Sequence, residues 1–108
     1  MRNFGLIGYP LSHSFSKKFF STKFLNEAIS ANYTNYEISS INKFTQLFID
    51  QKIDGLNVTI PYKETVIPFL DELDEISSVI GSVNTIVSLN RNGVNILKGF
   101  NTDVYGFQ

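Results

Sequence analysis

VNTIVSLNRNGVNILKGFNTD, residues 83–103, is the stretch that decides the architecture. Two runs rich in β-branched and apolar residues flank Asn92-Gly93. That dipeptide is the strongest short hairpin signal, because the favoured two-residue turn needs positive φ at both central positions. An antiparallel pair is therefore expected here. With Asn92 and Gly93 in the turn, Arg91 pairs with Val94, and stepping outward sets Asn84 opposite Asn101. Asp103 follows shortly after that pair, so the hairpin's open end brings the Asn84 amide towards a carboxylate.

Upstream the pattern is different. Residues 3–8 read as a short buried strand, and GYPLS after it is turn chemistry. From residue 16 to residue 30, Phe20, Phe24, Leu25, Ala28 and Ile29 recur at helical spacing, with Lys17, Lys18, Lys23, Asn26 and Glu27 between them. This predicts an amphipathic helix capped by Ser14 or Ser16. A second strand is expected over 33–38. Asn42 can then cap a helix that turns Phe44, Leu47 and Phe48 inward, and 55–60 forms a third strand. Strand, helix, strand, helix, strand implies right-handed crossovers and a parallel sheet covered by helices. After Pro61 a helical segment is expected, then another near 74–80 that Asp74 can cap and Gly81 can end. The fold class is therefore α/β: a three-layer α/β/α arrangement with a mixed, mainly parallel sheet closed by the C-terminal antiparallel hairpin.

Composition bounds the function. At 108 residues the chain suits one domain with its own core, and 43% hydrophobic residues allow it to fold. Nine basic and ten acidic side chains leave a net charge of -1, which gives no electrostatic footprint for nucleic acid or an anionic membrane. The expected partner is a small molecule. No cysteine is present and His13 is the only histidine, so no structural metal site is expected. The apolar patch near the amino terminus is broken by Gly5, Gly8 and Pro10 and is too short for a signal peptide or a span, so a cytoplasmic location is expected. No two glycines are separated by a single residue, so the G-x-G-x-x-G loop of a dinucleotide site is absent.

Ligands of open α/β sheets bind beyond the carboxyl ends of the parallel strands. Ser12, Ser14 and Ser16 follow the first strand, while Asn57, Thr59 and Lys63 stand at the end of the third. Pro61 suits a first helical position, which puts Lys63 in the first turn. There a cation opposes the helix dipole at a cost of about 0.3 to 1 kcal/mol, and the same field eases loss of its proton. Spacing alone also allows plainer readings. Most lysines are solvated, and serines placed like Ser14 and Ser16 are more often helix caps than ligand contacts. Asp103 can organise an Asx turn with Thr102, and the run DELDE, residues 71–75, reads as a solvated helix start. Tyr9, Tyr62 and Tyr105 sit where aromatic residues are usually packing, and His13 reads as a turn residue.

Four motifs in register add identity to these residue types: GLIGYPLSHSFS, GLNVTIPYKE, GSVNTIV and GFNTDVYGF. In this order and spacing they resemble the amino-terminal, substrate-binding domain of shikimate dehydrogenase, from Gly5 to the end of the chain. The resemblance implies that residues 1–108 form the substrate-binding catalytic domain. A following Rossmann domain, absent from this sequence, would hold NADPH. The implied reaction is the reversible reduction of 3-dehydroshikimate to shikimate in aromatic amino-acid biosynthesis. By motif match, Ser14 and Ser16 would hold the substrate carboxylate. Asn57, Thr59, Asn84 and Asp103 would bind ring hydroxyls, and Lys63 would be the catalytic lysine, acting with Asp103.

Phe15 and Lys17 stand where the family often has Lys and Pro, a departure that leaves both serines in place. Without a hydride source the chain is expected to bind but not to turn over. A quinate or quinate/shikimate dehydrogenase shares these motifs, and a non-catalytic module for cyclic hydroxy acids is the reading from another class. Oligomeric state is not legible, with a homodimer left open.

Overall fold

The computed structural model describes residues 2–11 and 31–102. Six strands form one sheet: β1 (Arg2–Gly8), β2 (Ala31–Glu37), β3 (Gly55–Val58), β4 (Glu72–Leu73), β5 (Thr85–Arg91) and β6 (Val94–Phe100). They lie in the order β2-β1-β3-β5-β6-β4. The pairs β1–β2, β1–β3 and β4–β6 are parallel, while β3–β5 and β5–β6 are antiparallel. The sheet is mixed, and the described residues include three short helices: α1 (Phe44–Asp50), α2 (Tyr62–Thr65) and α3 (Glu75–Ile80).

The turn residues Asn92 and Gly93 have φ of 56° and 83°, the positive pair that a two-residue hairpin turn demands. From that turn the β5–β6 ladder runs from Arg91↔Val94 to Thr85↔Phe100. The hairpin does not close the sheet, however. β4 lies outside it, pairing Glu72 with Lys98 and Leu73 with Gly99. The acidic run therefore does not simply start a helix. Its Asp71 carboxylate accepts from the Leu97 N–H at 2.9 Å, and Glu72 forms an ion pair with Arg91 at 2.9 Å. Gly99 permits this edge, because a Cβ there would stand 2.7 Å from Leu70 and 3.1 Å from Leu73.

Alternation along the strands sorts the two faces. Ile7, Leu56, Val58 and Ile86 point to one side, where they form a single buried cluster with Phe44, Phe48, Ile53, Tyr62, Val66 and Val83. The α1 spacing follows that demand: Phe44 and Phe48, one turn apart, are buried, with ring centroids 5.5 Å apart. The other side carries Tyr33, Asn57 and Thr85, since Phe4 pairs with Tyr33 and Leu6 and Thr85 with Asn57.

Capping follows the expected chemistry, with two changes. Asp74 accepts from the Ser77 N–H at 2.8 Å, and Gly81 ends α3 at φ 75°. Ser40, not Asn42, caps the segment before α1: its hydroxyl accepts from the Asn42 N–H at the head of the 3₁₀ turn Ile41–Lys43. Pro61 precedes α2 as its cap instead of occupying its first position, and β3 ends at Val58. The helix expected over residues 16–30 lies outside the described residues. Among the described residues no helix is long and apolar enough to cross a membrane.

Candidate functional site

The carboxyl end of β3 is tied to its neighbours by backbone hydrogen bonds. The Thr59 N–H donates to Ile7 at 3.0 Å, and the Val58 N–H donates to Asn84 at 2.8 Å. The chain then turns, with the Tyr62 N–H returning to the Thr59 carbonyl at 3.0 Å. This turn starts α2 and brings Lys63 back to the same edge, where its carbonyl accepts from the Val83 N–H at 2.7 Å. Tyr62 fixes the pivot: its ring is buried and its hydroxyl donates to the Ile38 carbonyl. The aromatic residue beside Lys63 is therefore packing, as its place at an element end suggests.

Asn57, Thr59, Lys63 and Asn84 all end up half-buried at this edge. Their side chains are not equivalent. The Asn57 Nδ2 donates to the Tyr33 hydroxyl at 2.8 Å. The Asn84 amide grips Thr102: its Nδ2 donates to Oγ1 and its Oδ1 accepts from the Thr102 N–H, each at 3.0 Å. Thr85 adds a third bond, donating to Asn84 Oδ1 at 3.0 Å. The backbone extends the hairpin through Asn84 N–H to Phe100 at 3.0 Å, and the buried Asn101 side chain donates to Ser82 at 3.1 Å. The open end is thus locked by paired bonds immediately before Asp103.

Ser14, Ser16 and Asp103 lie outside the described residues, as do His13, Phe15 and Lys17. Backbone bonds join the segments that carry Asn57, Thr59, Lys63 and Asn84; the strand-end argument places the first three at this edge, and the hairpin count places Asn84 at the hairpin's open end. The dipole argument for Lys63 weakens, because α2 has only four residues and sums few peptide dipoles. Tyr33 and Thr102 enter the site without having been singled out by their spacing. Tyr33 sits mid-strand in an ordinary β pattern, and Thr102 stood only as an Asx-turn partner of Asp103.

A cavity of about 270 Å³ opens beside Lys63, lined also by Ile60, Pro61, Glu64 and Ser82. A larger one of about 890 Å³ lies at the opposite end of β3, between α1 and the hairpin, and none of the candidate residues lines it. A third, of about 310 Å³, lies on the sheet face that carries Tyr33, Asn57 and Thr85, all of which line it. No group of His, Cys, Asp or Glu among the described residues is arranged to hold a metal ion.

Residues 6–86 match the family described as the shikimate dehydrogenase substrate binding domain. The chain is 43% identical to a shikimate dehydrogenase (NADP(+)) of Halothermothrix orenii, over 96% of this chain and 35% of that protein. Against the enzyme of the same name from Dictyoglomus turgidum it is 45% identical, over 96% of this chain and 37% of that protein. Among solved structures, shikimate dehydrogenase 1 of Peptoclostridium difficile superposes with a TM-score of 0.86 at 40% identity, covering 99% of this chain and 39% of that one. The shikimate 5-dehydrogenase of Listeria monocytogenes, solved with shikimate and NAD, gives 0.85 at 29% identity, covering 99% of this chain and 36% of that one. This chain spans little more than a third of these relatives' length.

Proposed function

The chain belongs to the family of shikimate dehydrogenase substrate-binding domains, and from that premise we propose that its β3–β5 edge binds shikimate and 3-dehydroshikimate. The observation that carries the reading is the convergence of Asn57, Thr59, Lys63 and Asn84, held by the Val58–Asn84 and Val83–Lys63 backbone bonds. Neutral amides and hydroxyls suit a polyhydroxylated ring, since each gives one directional hydrogen bond to a ring oxygen. On this reading residues 1–108 are the substrate-binding domain. The three-layer α/β/α arrangement is part of the same reading.

Ser14 and Ser16 hold the carboxylate of the ligand. Asn57, Thr59, Asn84 and Asp103 take its hydroxyls, and Lys63 with Asp103 handles the proton. Reduction of a ketone develops negative charge on its oxygen, and a proton donor within about 3 Å of that oxygen stabilises it. Lys63 supplies that proton and Asp103, the residue that follows Thr102 in sequence, orients it. NADPH, held by a nucleotide-binding domain, supplies the hydride. A cytoplasmic location accords with a reaction that draws on NADPH.

The test is titration of this chain with shikimate and, separately, quinate while backbone amide shifts are followed. Saturable shifts at Thr59, Lys63 and Asn84 are expected with shikimate. Silence there at millimolar ligand overturns the reading, and a tighter response to quinate reassigns the substrate.

A further inference from the structure

Tyr33 belongs to β2, two strands away from Asn57, yet their polar atoms meet at 2.8 Å. The register explains how. Tyr33 pairs with Phe4, and Asn57 pairs with Leu6, two residues further along the same strand. Both side chains stand on one face of the sheet, so the tyrosine crosses β1 on the diagonal. Only 6% of Tyr33 is exposed. A phenol in that setting has little rotational freedom and normally satisfies its hydroxyl with a specific partner.

An asparagine carries two N–H donors and one carbonyl oxygen. At the end of β3 an unanchored carboxamide would sample several χ2 orientations, since that torsion is broad. Engaging Nδ2 with Tyr33 fixes the carboxamide plane, with Oδ1 on the side away from the anchored nitrogen. That end is an acceptor, and it selects a group that donates.

We propose that Tyr33 is a positioning residue, holding the Asn57 carboxamide so that Oδ1 accepts from a hydroxyl of the bound cyclic hydroxy acid. The proposal rests on the shikimate-binding reading above and adds a residue that acts through Asn57 and not by touching the ligand. It also assigns polarity. Asn57 presents an acceptor, whereas the Asn84 oxygen already takes hydrogen bonds from Thr85 and Thr102.

Two measurements on this chain decide it. In the first, Tyr33→Phe keeps the ring and removes the hydroxyl. The Asn57 side-chain amide signals are expected to shift and to exchange faster with water; unchanged signals overturn the anchoring. In the second, shikimate dissociation constants are measured for wild type, Tyr33→Phe, Asn57→Ala and the double variant, with Asn57→Ser as replacement if Asn57→Ala does not fold. Tyr33→Phe is expected to weaken binding several-fold to about tenfold, the worth of one hydrogen bond. It should weaken binding no further once Asn57 is gone. An equal loss in both backgrounds overturns the proposal, because Tyr33 would then act on the ligand directly. A lower melting temperature with unchanged affinity also overturns it, since the role would be structural. A wild-type chain that ignores shikimate while Tyr33→Phe releases the Asn57 amide refutes the ligand reading and upholds the anchoring.

Discussion

Leu56 and Val58 on β3 look into a side of the sheet where Ile7, Ile86 and Val66 are fully buried, whereas Asn57 between them and Thr59 after them stand half exposed on the other. Neighbouring residues of one short strand thus serve different physics. On the first face stability comes from filling volume, which is non-directional and large in sum. On the second it comes from single hydrogen bonds, each small in net effect but strict in geometry. Substitutions should therefore separate: core changes cost stability and spare recognition, and edge changes do the reverse.

The largest effect should fall on the core. Phe44→Ala, at a fully buried ring packed against Phe48 and Phe69, is expected to cost about 3–5 kcal/mol in urea unfolding. Shikimate affinity of the folded fraction should be unchanged; an equal loss of affinity would break the division between faces. Asn84→Ala should invert the pattern. It removes the Thr102 clamp at about 1 kcal/mol in stability and lowers ligand affinity about tenfold or more, as read by calorimetric titration.

Asp74→Ala sharpens the contrast, because it removes a hydrogen bond as directional as that of Asn84 but made to the head of α3 and to none of the candidate residues. A loss of about 1 kcal/mol in thermal unfolding is expected, with no change in ligand binding. The smallest effect concerns Glu72, whose carboxyl is held below its ordinary value chiefly by its hydrogen bond to Arg91. A lowered folded pKa contributes stability that is present above the unfolded value, near 4.5, and lost as pH falls through the folded one. Arg91→Ala should therefore flatten part of the acid limb of a stability-versus-pH curve. Neutral stability should scarcely change, because the pair is exposed.

Where local chemistry dictates local structure, the sequence was legible. Asn92-Gly93 fixes a turn whose register propagates along the whole β5–β6 ladder, and Asp74 and Gly81 mark the ends of α3. β4 was not legible, because a two-residue strand has no period and its acidic residues mimic a helix start. Its pairing is decided by the room that Gly99 leaves for Leu70 and Leu73. The site divides in the same way. Asn57, Thr59, Lys63 and Asn84 could be placed at one edge from strand ends and motifs. Their partners Tyr33 and Thr102 depend on inter-strand register, which only the assembled sheet supplies.

The central claim is that Lys63, fixed at the edge by Val83, donates a proton to the reacting oxygen. It is tested by steady-state kinetics of Lys63→Ala in a protein that carries this domain joined to a nucleotide-binding domain. The account predicts kcat lower by about 10²–10⁴-fold with KM little changed and the melting temperature preserved. A raised KM with kcat intact would contradict it and make Lys63 a binding residue only.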